Sequence, residues 1–306
     1  MPELPLEIIY LIADFVSSNH PETLQALSLT SKSLVPCCQQ HIFAQIKIWD
    51  GPLVAIVYPD RRAHTFAKLI TRSFRIASYV RELTIQLPTR ISFWITENAR
   101  ETVFKALKQI PNLNKLSLRS TKCYYSSIFN NTVIASSITH LLGLKTLTTL
   151  HLTGLLGISP SLFSFCPTIR RLMISGTVSA IKDEPKHTQI PISLSELHLY
   201  MDFGHYQALK SLFDATIDGN KPVIDLSEMK VFRTSRTEIS NAAIRDLVDL
   251  GMSSLEDFGL VGVNTATIGL AHGLKPAAKL LKRLYFSYIN GNLGSLVNLF
   301  SLSQPF

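Results

Sequence analysis

The sequence predicts a mixed α/β chain. A three-helix module at residues 1–45 is followed by an irregular solenoid, a horseshoe with parallel strands on the concave side and helices on the convex side. Two observations carry this expectation. Apolar residues in the first 16 positions recur at helical spacing. After residue 80 a short pattern, apolar-x-x-apolar-x-apolar, recurs eight times. The expected domains are therefore 1–45, a transitional repeat or linker over 46–79, and a repeat body over 80–306.

In the first helix Leu4, Ile8, Ile12 and Phe15, with Leu11 on the same side, form one apolar stripe. Pro5 suits a first helical turn, where its missing N–H would be unpaired anyway, and Glu7 complements the helix dipole. A second helix is expected from Pro21-Glu22 to Leu29, with Leu24 and Leu27 inward. A third is expected from Ser33 as cap, with Pro36 in its first turn, to His41-Ile42-Phe43. Three short helices cannot bury this much apolar surface among themselves, so part of it must face another domain or another protein. The transitional segment holds a strand at Ile46–Ile48 and a basic helix near Thr65–Tyr79.

The repeat is read as Val80/Leu83/Ile85, Leu113/Leu116/Leu118, Leu147/Leu150/Leu152, Ile169/Leu172/Ile174, Leu194/Leu197/Leu199, Leu226/Met229/Val231, Leu255/Phe258/Leu260 and Leu281/Leu284/Phe286. Central residues are 22 to 34 positions apart. The last two apolar positions of each unit alternate, which is strand periodicity, and both point to the core. Helices are expected at Glu97–Ile110, Thr132–Leu142, His205–Ile217, Asn241–Leu250 and Ala266–Leu274, with Leu296–Leu302 as an end cap.

Bulk composition narrows the classes. The 306 residues are 46% apolar and 17% charged, which argues against disorder. No run of 18 apolar residues is present, so no membrane span is expected. The acidic N-terminus does not read as a signal peptide. Cys37, Cys38, Cys123 and Cys166 show neither a disulfide framework nor metal-ligand spacing, which points to reduced thiols in the cytoplasm or nucleus. Net charge is +8, unevenly spread: residues 1–45 set Lys32 against Glu3, Glu7, Asp14 and Glu22, so the rest carries +11. Residues 61–100 hold eight basic side chains against Glu82 and Glu97. That stretch is read as a solvated helix face; attraction of an acidic partner is the other reading.

The opening residues resemble the F-box family. Members begin with Leu-Pro and then Glu-(Leu/Ile), and this chain has Leu4-Pro5-Leu6-Glu7-Ile8. A hydrophobic helix follows at Ile9–Val16, then the leucine-rich turn Leu24-Gln25-Ala26-Leu27-Ser28-Leu29-Thr30-Ser31-Lys32, and anchors at Ile42-Phe43 and Ile46. Ser31 stands where many members carry Cys, and the tryptophan near the module's end is missing unless Trp49 serves. The later units resemble leucine-rich repeats. They lack the usual asparagine after the strand, where Pro88, Thr121, Leu155, Thr177, Asp202, Thr234, Val263 and Ile289 stand, so irregular turns are expected.

Together the two resemblances imply a substrate-receptor subunit of a Skp–cullin–F-box ubiquitin ligase. The module would dock a Skp-family adaptor, and through it a cullin, using Leu4, Pro5, Ile8, Ile12, Leu24, Leu27 and Leu29. Its contribution would be proximity, raising the effective concentration of a target's lysines beside the charged conjugating enzyme. A repeat scaffold with a plain helical cap is the alternative. A nucleic-acid or membrane-surface binder is suggested only by the basic body, which shows no recognisable nucleic-acid module.

Catalytic signatures are absent: the chain has no GxSxG, no phosphate loop, no GxGxxG and no HExxH. No enzyme, cofactor or metal site is expected. His151 and His198 fall on equivalent positions two strands apart, too far for joint metal ligation. The residues between core positions mark a concave face. It carries Lys115, Ser117 and Arg119; Thr149, His151 and Thr153; Arg171 and Met173; Glu196, His198 and Tyr200; Glu228, Lys230 and Phe232; Arg283 and Tyr285. Of these, Lys115, Arg119, His151, Arg171, Met173, His198, Tyr200, Phe232 and Tyr285 are the expected target-binding residues, since Arg and aromatic side chains anchor partners best.

Overall fold

The computed structural model describes residues 5–20, 22–48, 61–87, 97–124, 126, 129, 131–177, 179–180, 190–201, 206–217, 219–235, 254–263 and 282–288. These residues form a mixed α/β structure whose strands are mostly parallel. The chain divides into two compact units, residues 1–119 with 127–147, and residues 120–126 with 148–306. The expected helices at Asn241–Leu250 and Ala266–Leu274 and the segment Leu296–Leu302 lie outside the described residues.

The first unit opens with α1 (Leu6–Asn19), α2 (Thr23–Thr30) and α3 (Val35–Ile42). Ile9 and Ala13 of α1 pack on Cys37 of α3, with Leu34 against them. Pro5 precedes the first turn instead of lying in it. Its backbone is extended and its carbonyl accepts from the N–H groups of Ile8 (3.0 Å) and Ile9 (3.2 Å). Pro36 occupies the first turn of α3, where its fixed φ is favourable. Ser33 does not cap that helix: Leu34 holds the cap position, and the Ser33 hydroxyl pairs with Ser31 Oγ at 2.8 Å.

Next come β1 (Gln45–Ile48), α4 (Arg61–Arg72), α5 (Phe74–Tyr79), β2 (Glu82–Gln86), α6 (Glu97–Leu107), β3 (Lys115–Tyr124) and α7 (Thr132–Leu142). The basic helix expected over 65–79 is two helices. Ser73 breaks it, with extended backbone and a hydroxyl that accepts from Ile76 N–H to cap α5. Helix α7 has the predicted bounds, because Asn131 Oδ1 accepts from Ile134 N–H at 3.1 Å and caps it. β1, β2 and the Lys115–Arg119 stretch of β3 run parallel, with Ile46 beside Leu83 and Leu83 beside Leu116. The helices between them stack as well, α6 packing on both α4 and α7. Parallel neighbours demand such crossovers.

The second unit contains β4 (Thr149–Leu156), a 3₁₀ turn at Pro160–Phe165, β5 (Arg171–Gly176), β6 (Ile192–Ser193), β7 (Glu196–Met201) and α8 (Tyr206–Phe213). It continues with β8 (Thr216–Ile217), β9 (Lys221–Pro222), β10 (Ile224–Asp225), β11 (Val231–Ser235), β12 (Asp257–Val263) and β13 (Arg283–Tyr288). β4, β5, β7, β11, β12 and β13 are adjacent in that order and parallel. β6 pairs with β10, and β8 with β9 as a hairpin turning at Gly219, whose φ of +73° suits glycine.

A backbone device marks equivalent positions in successive strands. Two successive N–H groups share the carbonyl of the residue that immediately precedes the neighbouring strand: Arg81 and Glu82 on Ala44, Asn114 and Lys115 on Arg81. In the second unit the pairs are Arg170 and Arg171 on Thr148, Ser195 and Glu196 on Arg170, Lys230 and Val231 on Ser195, Glu256 and Asp257 on Lys230, and Lys282 and Arg283 on Glu256.

This ladder corrects the sixth repeat. Val231 aligns with Glu196 and Asp257, whereas Phe232 aligns with Leu197 and Phe258. The core triplet is therefore Met229/Phe232/Thr234, all three fully buried. Leu226 is buried too, next to β10 and outside the main register. Where an asparagine ladder is missing, Ser179 serves the turn after β4. Its hydroxyl accepts from Gly157 N–H (2.9 Å), its carbonyl from Ile158 N–H (2.8 Å), and its own N–H donates to Leu155 (3.2 Å).

Cys37, Cys38 and Cys166 are free thiols and buried. Burial pushes all three up in pKa, Cys166 to about 12, so little thiolate is present near neutrality. These three are expected to resist iodoacetamide in the native protein and to label on unfolding, as read by peptide mass. Rapid native labelling of Cys166 would contradict its packing.

Candidate functional site

Helix α1 has two apolar faces, and only one is used internally. Ile9 and Ala13 enter the head's core. At 100° per residue Ile8, Leu11, Ile12 and Phe15 fall on an adjacent stripe, and these four are 38 to 66% exposed. Leu24 is buried and Leu27 half-buried, so of the α2 leucines only Leu29, 87% exposed, presents its side chain outward. Pro5 is exposed at the start of the helix; Leu4 lies outside the described residues. Glu7, Asp14 and Glu22 are exposed acids of the helical head, and Asp14 Oδ1 also holds His41 Nε2 of α3 at 2.9 Å. Burying the four α1 side chains from half-exposure is worth on the order of 1 kcal/mol each. Association itself costs several kcal/mol, so a partner must cover more than this helix.

On the second unit's sheet, the non-core residues form rows across the strands. One row is Thr149, Arg171, Glu196, Val231, Asp257 and Arg283; the next is His151, Met173, His198, Arg233, Gly259 and Tyr285. The first row is ionic. The Arg171 guanidinium donates from Nε and Nη2 to the two carboxylate oxygens of Glu196, the second at 2.6 Å. Asp257 Oδ2 is shared by Arg233 (3.5 Å) and Arg283 (3.3 Å). At the left of the second row His151 Nε2, Thr153 Oγ1 and Ser175 Oγ form a closed triangle of hydrogen bonds at 2.8 to 3.1 Å. In the first unit Lys115 Nζ lies 3.3 Å from Glu82, and Arg119 is exposed.

His198 lies on the expected face but is buried, its ring near-perpendicular to that of Tyr200 with centroids 6.0 Å apart and its Nε2 3.6 Å from Glu196 Oε2, beyond hydrogen-bond reach. Burial, helped by the nearby Arg233, lowers its pKa, and the Glu196 charge only partly opposes this. Hydrogen bonding from Arg171 holds Glu196 below the usual carboxylate range. Both shifts have the same consequence. A histidine with a lowered folded pKa adds stability that is complete above its unfolded value and is lost as pH falls below it; a carboxylate with a lowered pKa does the same at more acidic pH. The second unit is therefore expected to lose stability progressively below about pH 6.5. His198→Gln should flatten the upper part of that dependence in denaturant unfolding measured over pH; an unchanged slope would remove His198 as its source.

Of the expected target-binding residues, Arg171, Met173, His151 and Tyr200 lie on this face at least half-buried or exposed. Tyr285 is placed there by its backbone, and its side chain lies outside the described residues. Two expectations are corrected. Phe232 is wholly buried beside Phe258, ring centroids 5.7 Å apart, because the repeat frame lies three residues further along, an odd shift that turns this side chain from the open face to the core. His198 is covered by its ionic neighbours and offers no exposed anchor. The same displacement hid Arg233, which takes the between-core position assigned to Lys230; the frame Met229-x-x-Phe232-x-Thr234 is the signal for it. His151 and His198 are two strands apart, as expected, and no cluster of three metal-ligand side chains occurs among the described residues.

Compared with known proteins, the chain matches no family model and no curated protein. The functional reading therefore rests on its own residues and geometry. No helix among the described residues is long and apolar enough to cross a membrane.

Proposed function

We propose that the chain is a protein-recruiting adaptor of the F-box kind. Its N-terminal helices would dock a Skp-family adaptor, and through it a cullin, while its repeats, resembling leucine-rich repeats, hold a target protein for ubiquitin transfer. The observation that carries this reading is the double-sided α1, which builds a core with Ile9 and Ala13 and leaves Ile8, Leu11 and Ile12 exposed. The Leu4-Pro5-Leu6-Glu7-Ile8 motif and the repeated parallel strands with stacked helices support it. The function would be positional rather than chemical: a scaffold holding its target beside the transferring enzyme substitutes for a bimolecular encounter. Affinity purification of the intact chain with mass spectrometry tests the reading, with a Skp-family adaptor and a cullin as the expected companions. A chain that retrieves targets but no adaptor would instead be a free-standing scaffold with a helical cap.

A further inference from the structure

The ionic row of the second unit is asymmetric in exposure. The Arg171, Arg233 and Arg283 side chains are 45 to 75% exposed, whereas those of Glu196 and Asp257 are 24 and 5% exposed. The carboxylates are thus the more deeply buried partners of guanidiniums that keep much of their surface open, and three arginines exceed two acids. Arg233 is drawn back to this row from two residues along its strand, and Gly259 makes room for it: a Cβ there would meet Arg233 Cγ at 3.0 Å. Lys230 and Lys282 flank the row, both within 4.0 Å of Glu256. Arginine forks held in fixed orientation suit bidentate carboxylates, and pre-ordering lowers the entropy cost of binding.

We propose that this face takes an extended acidic peptide segment, its carboxylates docking on Arg171, Arg233 and Arg283. From β5 to β13 there are four strand spacings, about 19 Å, which about six extended residues would cross. The proposal rests on reading this sheet face as the target-holding surface and names the target's chemistry. On β5 Met173 lies in the next row along the strand from Arg171, and Ser175 Oγ pairs with Thr153 Oγ1 in the row beyond.

The test is fluorescence anisotropy on the full chain with a labelled alternating Asp-Gly peptide of about eight residues, long enough to span the row, and a Ser-Gly peptide as control. Saturable binding of the acidic peptide, weakening as ionic strength rises, is expected. Arg171→Gln and Arg283→Gln should each lower affinity about tenfold, the value of one charge-assisted contact. Gly259→Ala should lower it severalfold by displacing Arg233 without removing any charge. Lys68→Glu, an exposed change on α4 of the other unit, should leave it unchanged. Circular dichroism establishes that each variant is folded, and any one folded variant at the row suffices. Absence of saturable binding, equal loss with Lys68→Glu, or tighter binding of a single-stranded oligonucleotide of equal charge would overturn the proposal. No adaptor is present in this assay, so its failure would leave adaptor capture standing, and loss of adaptor capture would leave peptide binding standing.

Discussion

Ile8→Asp is expected to abolish capture of a Skp-family adaptor while leaving the chain folded. The side chain is 41% exposed and points away from the Ile9–Ala13–Cys37 cluster, so a carboxylate there stays hydrated in the free protein. In the docked state it would be buried unpaired in an apolar interface, a penalty of about 3–5 kcal/mol. That corresponds to a loss of about two to three and a half orders of magnitude in affinity. Calorimetric titration of the purified adaptor into wild-type and variant chains measures it, with far-ultraviolet circular dichroism as the folding control. Ala13→Asp supplies the contrast, because Ala13 is fully buried and that variant should lose the head's structure itself. Undiminished titration of Ile8→Asp would refute adaptor docking through α1.

Phe232→Ala is expected to destabilise the second unit by about 3–5 kcal/mol, the range for emptying an aromatic site in a packed core. Phe232 is fully buried, its ring lies against that of Phe258, and its strand pairs on both sides, with β7 and β12. An exposed Phe232 would change stability by no more than about 0.5 kcal/mol on truncation. Denaturant unfolding separates the two outcomes, and a near-neutral result would restore the sequence-based placement of this residue on the open face.

Much of the architecture was legible because burial in parallel strands leaves a rigid trace. Leu83, Leu116, Leu150, Leu172 and Leu197 were read in the right register, and each is buried. A further unit, Phe43-x-x-Ile46-x-Ile48, precedes them, with Ile46 beside Leu83. The sequence marks it as a transitional repeat or linker with a strand at Ile46–Ile48, but places Phe43 in the preceding helix and so leaves its triplet incomplete. The sixth unit failed for a specific reason. An apolar template fits two frames there, and the true one ends in Thr234, a polar residue buried completely. Hydropathy ranked Val231 above Thr234, while the backbone ladder chose otherwise.

The candidate surfaces divide the same way. The apolar stripe of α1 follows from helical geometry and could be read off the spacing of Ile8, Leu11, Ile12 and Phe15. Which of its two apolar sides stays outward could not, because that depends on α3 bringing Cys37 and Leu34 to Ile9 and Ala13. The pairing of Arg171 with Glu196, and of Arg233 and Arg283 with Asp257, joins residues 24 to 26 positions apart. Charge composition cannot encode such pairs.

By itself the sequence determined the periodicities: a helical head with surplus apolar surface, and strands recurring at repeat spacing, because side-chain direction follows from local backbone geometry. The tertiary structure alone decided the frame of β11, the burial of His198 and the exposure of the arginines above their carboxylates. Those depend on which strands lie side by side, and the free energy of a buried group is set by its neighbours in space rather than along the chain.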